Sequence, residues 1–270
     1  MLRLQLPNGH TIYCLNKRSP LVNYREIFEE KIYVQRGIII KENDIIFDVG
    51  ANIGIFSLFL MELNKKLKVY AFEPIPAIFN VLKKNLADHA EEVKTCQYGL
   101  AERDGQETFN YFPNAPDMST IGEVGRDVWP RFFLDNYQET VVKDNPAAKY
   151  IPKLLRPFVI KRALHSALKE EKVVCPLRTL SSIVRENSID SIDLLKLDAE
   201  NCETRVLAGI QNEDWPKIQQ IAMEVHGHLK GRETVLDEIR SLLHEKGFRT
   251  SLGKKSPLSQ IGVEMLYGTR

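Results

Sequence analysis

Residues 45–54 read Ile45-Ile46-Phe47-Asp48-Val49-Gly50-Ala51-Asn52-Ile53-Gly54, an apolar run that ends in an acid and opens into a glycine-bearing loop. A second apolar run, Val69-Tyr70-Ala71-Phe72, ends in Glu73-Pro74 at the distance one helix would span. This pairing predicts a strand, loop, helix, strand unit of the nucleoside-binding kind. Glycines let such a backbone turn sharply and pass close to a ligand. A carboxylate at the tip of the second strand can accept both ribose hydroxyl protons. Two cofactors compete for a unit of this kind. A dinucleotide wants G-x-G-x-x-G, whose close glycines bare helix N–H groups to a pyrophosphate. The D-x-G-x-x-x-G present here keeps Ala51 and Asn52 between the glycines and an acid at the loop's mouth. An acid there repels a pyrophosphate and suits the ammonium of a methionine moiety. The motif therefore favours S-adenosylmethionine (SAM) and methyl transfer over NAD and hydride transfer.

Working outward, residues 44–49 form the nearly unbroken apolar run of a strand buried on both faces, and residues 55–63 read as a helix ended by Asn64-Lys65-Lys66. A strand at 68–72 and a helix at 76–86, opened by Pro76, complete a βαβα run and hence a parallel sheet with right-handed crossovers. Upstream, Ile27, Phe28 and Ile32 give residues 24–33 the spacing of a short helix laid over the mouth of the sheet, within a cover segment spanning 1–43. The remaining chain, 44–270, reads as one catalytic domain. Strand three is expected at 93–99, and the alternation at 106–112 suggests a hairpin. Residues 113–172 break the pattern with Pro, Gly and Asn and then a basic helical stretch at 154–171, the profile of a lid or binding insertion. The core resumes at Val173-Val174, with a helix at 180–186, a strand at 192–198 ending in Asp198, and a helix at 202–210. A strand at 218–225, a helix at 234–246 stopped by Gly247, and a final antiparallel pair at 248–251 and 260–267 follow.

Composition bounds the possibilities. With 270 residues, 43% apolar and 27% charged, the chain is long enough to bury a real core. Thirty-seven basic against thirty-six acidic side chains leave a net charge of +1, which removes the main electrostatic case for a nucleic-acid partner. The start lacks an apolar signal core, and the longest apolar stretch, 53–61, is far too short to cross a bilayer. Cys14, Cys96, Cys175 and Cys202 show no C-x-x-C spacing, so neither a zinc knuckle nor a disulfide framework is expected, and a reducing, cytoplasmic setting fits.

With FDVGANIGIFSLF, VYAFEPIP, GLAERDGQETFNYFP, LLKLDAEN and AMEVHG in that order, the chain resembles the FkbM family of SAM-dependent methyltransferases. The match covers most of 44–101 and 179–267. The resemblance implies an α/β, Rossmann-like class I methyltransferase with a seven-stranded sheet in the order 3-2-1-4-5-7-6, the last strand antiparallel, and usually O-methylation. Carried over by position, Asp48, Gly50, Asn52 and Gly54 would line the methionine and ribose side of SAM, and Glu73, followed by Pro74, would bind the ribose diol. Gly99 and Leu100, with Tyr98 beside them, would face the adenine. Glu30 and Tyr33 would cover the cofactor, and Asp198 would meet it from strand four.

Methyl transfer from a sulfonium is an in-line displacement, so an oxygen nucleophile must be held about 3 Å from the methyl carbon and its proton removed. The open edge above strands four and five carries Asp198, Glu200, Glu224 and His226. An imidazole titrates near neutrality, at about 6.5, which makes His226 the expected general base. Glu224 or Asp198 would orient its ring. His228 is the neighbouring alternative, and Glu200 would either meet substrate or only cap the following helix. Asp198 and Glu224 could also hold Mg²⁺, but no D-x-D-D cluster supports a metal and none is expected. Within the insertion, residues 112–120 resemble a segment of family members attached to polyketide and nonribosomal assembly lines, which would bring Met118 and Ser119 to the acceptor. Lys153, Arg156, Lys161 and Arg162 could dock an acidic acyl carrier protein, or form an ordinary solvated helix face. The expectation is an O-methyltransferase acting on a hydroxyl of a small natural-product intermediate, free or carrier-bound, without nucleic-acid or membrane partners. The alternatives are an NAD-dependent oxidoreductase and a non-catalytic SAM-binding protein.

Overall fold

A parallel run of strands and helices is built where the apolar segments demand it. In the computed structural model, which describes residues 1–63 and 65–270, a small hairpin comes first: β1 (Leu2–Gln5) against β2 (Thr11–Cys14). Helix α1 (Ser19–Tyr24) then runs into one wide helical turn, Arg25–Glu29. The helix thus starts and stops earlier than expected. Pro20 presets its first turn, and Lys31, with φ of 53°, turns the chain out of it. Next come β3 (Ile45–Val49), α2 (Ile55–Glu62), β4 (Lys68–Phe72), α3 (Pro76–Asn85) and β5 (Val93–Cys96). The stop expected at Asn64 lies outside the described residues.

Strand three is shorter than expected because the chain leaves the main sheet after Cys96. Gly99–Leu100 (β6) instead pairs in parallel with β8 (Glu171–Arg178). β7 (Gly105–Tyr111) pairs with β8 in antiparallel register from Gly105↔Leu177 to Tyr111↔Glu171. The expected hairpin at 106–112 is therefore corrected: the strand exists, but its partner lies beyond the insertion, in a side sheet of order β6-β8-β7. Val173 and Val174 belong to that side sheet. The insertion carries α4 (Val128–Asp135) and α5 (Arg156–Ala167), the latter preceded by a 3₁₀ turn at Lys153–Leu155. The basic helix is thus shorter than 154–171. Pro157 opens it, and residue 171 is already in β8.

The chain closes with α6 (Leu180–Glu186), β9 (Leu194–Leu197), α7 (Glu203–Ala208), β10 (Gln220–His226), α8 (Val235–Glu245), β11 (Arg249–Leu252) and β12 (Val263–Thr269). The main sheet has the order β11-β12-β10-β9-β3-β4-β5, with β12 antiparallel to both neighbours. Numbered as core strands this is 6-7-5-4-1-2-3, the class I methyltransferase order. Strands buried on both faces divide their side chains by alternation. Ile46, Val69, Ala71 and Leu194 join the layer containing α2 and α3, while Phe47, Val49, Tyr70, Phe72, Leu195 and Leu197 join the layer containing α6, α7 and α8. The strand order reverses between β3 and β9, and the crevice of such a sheet opens above that point. The four cysteines are buried and free. Among the described residues no helix is long and apolar enough to cross a membrane.

Candidate active site

A cavity of about 990 Å³ opens above the carboxyl ends of β3, β4, β9 and β10, at the upper end of the size range of small-molecule sites. The α1 region walls one side and the insertion the other. Its floor is the start of the 50–54 loop, residues 50–52. Gly50 has φ of 72°, and a Cβ there would lie 1.7 Å from the carbonyl oxygen of Asp198, so two backbones meet with no room for a side chain. Asn52 also sits on the cavity wall. Gly54 does not: it turns into α2 with φ of 92° and packs against Leu82 of α3.

Asp48 is not at the mouth of the loop. It is fully buried, accepts a hydrogen bond from Ser57 Oγ at 2.8 Å, and pairs with Lys196 Nζ at 3.2 Å. Lys196 also donates to the Gly50 carbonyl at 2.9 Å and stands 3.8 Å from Asp198. Burial works against the ammonium, but Asp48 and Asp198 outweigh it and hold its pKa above the ordinary value. Tyr33 covers this cluster, its ring 5.1 Å from Nζ and its hydroxyl donating to Asp198 Oδ2 at 2.9 Å. The other oxygen of Asp198 is buried without a hydrogen-bond partner. Lys196 was not among the expected site residues. The available signal was a lone lysine inside a strand buried on both faces, which requires a carboxylate neighbour.

At the far end of the loop, Glu73 is buried and accepts the Ile75 N–H at 2.9 Å. Burial pushes its carboxyl up to about 7, with the backbone N–H groups of Ile75 and Asn52 opposing. Pro74, Gly99 and Leu100 continue the wall. Tyr98 does not line the cavity; it packs on Phe72 at 5.7 Å and under the Arg178 guanidinium at 5.8 Å. Glu30 stands at the exposed edge of the cavity.

Above β9 and β10, Asp198, Glu200, Glu224 and His226 converge on the cavity. The strand stays regular to residue 226, so Glu224 and His226 share a face. The expected orienting carboxylate, Glu224 or Asp198, is corrected to Glu203. His226 Nδ1 lies 2.7 Å from Glu203 Oε1, and Glu203 Oε2 accepts from Arg232 at 2.9 Å. Nε2 faces Glu200 at 3.5 Å. Burial alone would depress the imidazole, but Glu200 and Glu203 raise its pKa well above the usual value. Burial raises Glu200 strongly, and burial together with Asp198 pushes Glu224 up to about 7. Glu26, also unanticipated, is pushed up to about 8 by burial and by Glu224. Glu200 does not cap α7, whose first turn is preceded by Cys202. Glu200 is held in a left-handed conformation, φ 40°, and the Thr120 hydroxyl donates to its carbonyl. Met118 and Ser119 line the cavity from the insertion. His228 does not: it is buried against Trp129, ring centroids 5.4 Å apart, and burial presses its pKa down to about 4. Asp198, Glu224 and His226 each offer one ligating atom within 4.8 Å of the others, so this cluster could take up either a proton or a cation.

A family model described as the methyltransferase FkbM domain matches residues 48–250. The chain belongs to the FkbM family. Over 265 residues, covering 94% of the chain and 91% of the relative, this FkbM-family methyltransferase is 31% identical to the 31-O-demethyl-FK506 methyltransferase FkbM of Streptomyces tacrolimicus. It is 33% identical, over its full length, to a part of the AMB antimetabolite synthetase AmbE of Pseudomonas aeruginosa, and spans only 12% of that protein. A solved structure of Aeropyrum pernix fibrillarin with natively bound S-adenosyl-L-methionine aligns over 99% of the chain and 93% of its own, with a TM-score of 0.46 and 11% identity. Membership implies SAM as the methyl donor, and the cavity fits it. Its floor excludes a side chain at Gly50, a buried carboxylate stands at Glu73, and one end is rich in acids, with a buried oxygen of Asp198 left without a partner.

Proposed function

We propose that this FkbM-family methyltransferase is an O-methyltransferase acting on a hydroxyl of a small natural-product intermediate, presented by an acyl carrier protein. The observation that carries the reading is the oriented imidazole of His226, gripped at Nδ1 by Glu203 and turned at Nε2 toward the cavity. The names of two relatives support the substrate class: one methylates a demethylated FK506 and the other is a synthetase. When bound, SAM supplies a methyl group on a sulfonium. Gly50, Asn52, Glu73, Pro74, Gly99 and Leu100 hold the nucleoside end, with Glu73 accepting from the ribose diol. Asp198, Glu26 and Glu30 receive the ammonium, Tyr33 covers it, and Asp48 acts from beneath through Lys196. Met118, Ser119 and Glu200 meet the acceptor, whose hydroxyl proton passes to His226 Nε2. Glu203, held in place by Arg232, stabilises the imidazolium that results. The ring must be neutral to accept that proton, and its pKa is raised. Turnover should therefore rise with pH above neutrality.

The test is methylation of a panel of hydroxyl-bearing polyketide and peptide intermediates, free and carrier-bound, alongside calorimetry with S-adenosylhomocysteine (SAH). His226→Ala should lower turnover by about 10² or more while SAH affinity stays near wild type. Full activity would remove His226 from the chemistry, and NADH binding in place of SAH would return the oxidoreductase. A second reading keeps methyl transfer but gives the activating role to a divalent cation at Asp198, Glu224 and His226, which the closeness of their ligating atoms favours. Chelation separates the two: an activity lost to EDTA and restored by Mg²⁺ or Mn²⁺ belongs to the cation.

A further inference from the structure

We propose that the solvent face of α5, together with the 3₁₀ turn before it, is a docking surface for an acidic protein that delivers the acceptor on a flexible covalent arm. This rests on the carrier-presented reading above and names its surface. Of the eleven large apolar side chains that stand exposed among the described residues, five lie between 150 and 159: Tyr150, Leu154, Leu155, Phe158 and Val159. Such clustering is not the scatter of single apolar residues that any surface shows. Leu154 is 90% and Phe158 68% exposed, so the described residues leave Leu154 almost uncovered and Phe158 mostly so.

The same stretch is cationic. From residue 145 to 169 the sequence contains no aspartate or glutamate, in a chain whose net charge is only +1. Lys153, Lys161 and Arg162 are exposed and make no ion pair with any described residue. Arg156 differs from these three: its Nε donates to the Ile151 carbonyl and its guanidinium lies 4.1 Å from the Tyr137 ring, so it belongs to the inner packing of the insertion. At helical spacing Leu154, Phe158, Lys161, Arg162 and His165 form one stripe. An apolar centre with cations around it selects a partner with apolar side chains set among acids. A second copy of this chain would bring the same cations face to face and is disfavoured.

The position of the stripe points to delivery rather than adhesion. The opposite face of α5 (Ile160, Ala163, Leu164, Ala167) lines the cavity, and Val159 belongs to both the exposed patch and the cavity wall. A partner seated on the outer face is therefore one helix diameter from the acceptor end of the site.

The test measures binding of the full chain to acidic acyl and peptidyl carrier proteins bearing the phosphopantetheine arm, by calorimetry, against vesicles of phosphatidylglycerol. Wild type should bind a carrier with a Kd that rises about tenfold or more from low to high salt. Lys153→Glu with Lys161→Glu, and separately Leu154→Ser with Phe158→Ser, should each weaken it by about tenfold or more. SAH affinity, as a check on folding and on the cofactor site, should be unchanged in all of them. Failure of every carrier to bind wild type, binding that ignores both double variants, or association with the vesicles instead would overturn the docking surface. Loss of SAH binding, or no methylation of any hydroxyl, would strike the proposed function and not this surface, because the docking measurement needs no turnover.

Discussion

Glu73 directly follows β4 with a buried carboxyl whose pKa is pushed up to about 7, so in its proposed ribose-binding role it gives cofactor affinity a titration in the physiological range. In that role the ribose hydroxyls would donate to the charged form. As pH falls through 7 the proton competes with them, and SAH affinity should drop by up to about tenfold per unit. Lys196 favours and Asp48 opposes that charge, while Glu26 and Glu224, raised to about 8 and about 7, lose charge over the same range with the same sign. Calorimetry from pH 8 to 6 should show wild type weakening and Glu73→Gln flattened, though not flat. Glu203 gives a second case. Its removal leaves a buried imidazolium and Arg232 without their carboxylate and should cost about 3 kcal/mol. Because the folded pKa of His226 is raised, the ion pair's contribution is complete below the unfolded value and is lost as pH rises through the folded one. Denaturant midpoints should therefore separate Glu203→Ala from wild type most at pH 6 and less in alkali. Sequence made the placement of Glu73, Asp198 and His226 at the cavity legible because each ends or directly follows a strand. It misjudged Asp48, because the register that sets Asp48 beside Lys196 links strands far apart in the chain and no local pattern encodes it. It missed Glu203 because a helix-opening acid usually needs no explanation beyond the helix dipole.

At the scale of elements, alternation and apolar runs revealed which segments are strands but not always what they pair with. The strand at 106–112 was readable, whereas its partner was not, since the intervening insertion hides which later segment returns to it. Short helices suffered at their ends, where a proline rather than the apolar spacing decides the first turn. Two of these elements meet over the cavity. Asp144 of the insertion pairs with Arg18 at 3.3 Å and Arg25 at 3.4 Å, and Asp117 accepts from Ser19 Oγ at 2.7 Å. Partly exposed pairs of this kind contribute little to folding, but they join the two walls of the cavity proposed to hold the cofactor. Asp144→Asn should leave the melting temperature within a degree or two and speed SAH release a few-fold in stopped-flow, as should high salt in the wild type; equal release rates would show that the walls part elsewhere.

For the molecule as a whole, the βαβα rhythm predicted a parallel sheet with right-handed crossovers, and the seven-stranded order, found as expected, came from what the resemblance to the FkbM family implies. What the rhythm did not reveal was the side sheet, which is where the insertion is rooted. The excursion leaves after Tyr111 and returns at Glu171, and those two residues are cross-strand partners. Its ends are therefore already closed by a ladder that the rest of the fold maintains, and lengthening or replacing it adds little closure entropy. The insertion therefore has the geometry of a graftable cassette: it can be exchanged as a unit without breaking the ladder that closes it.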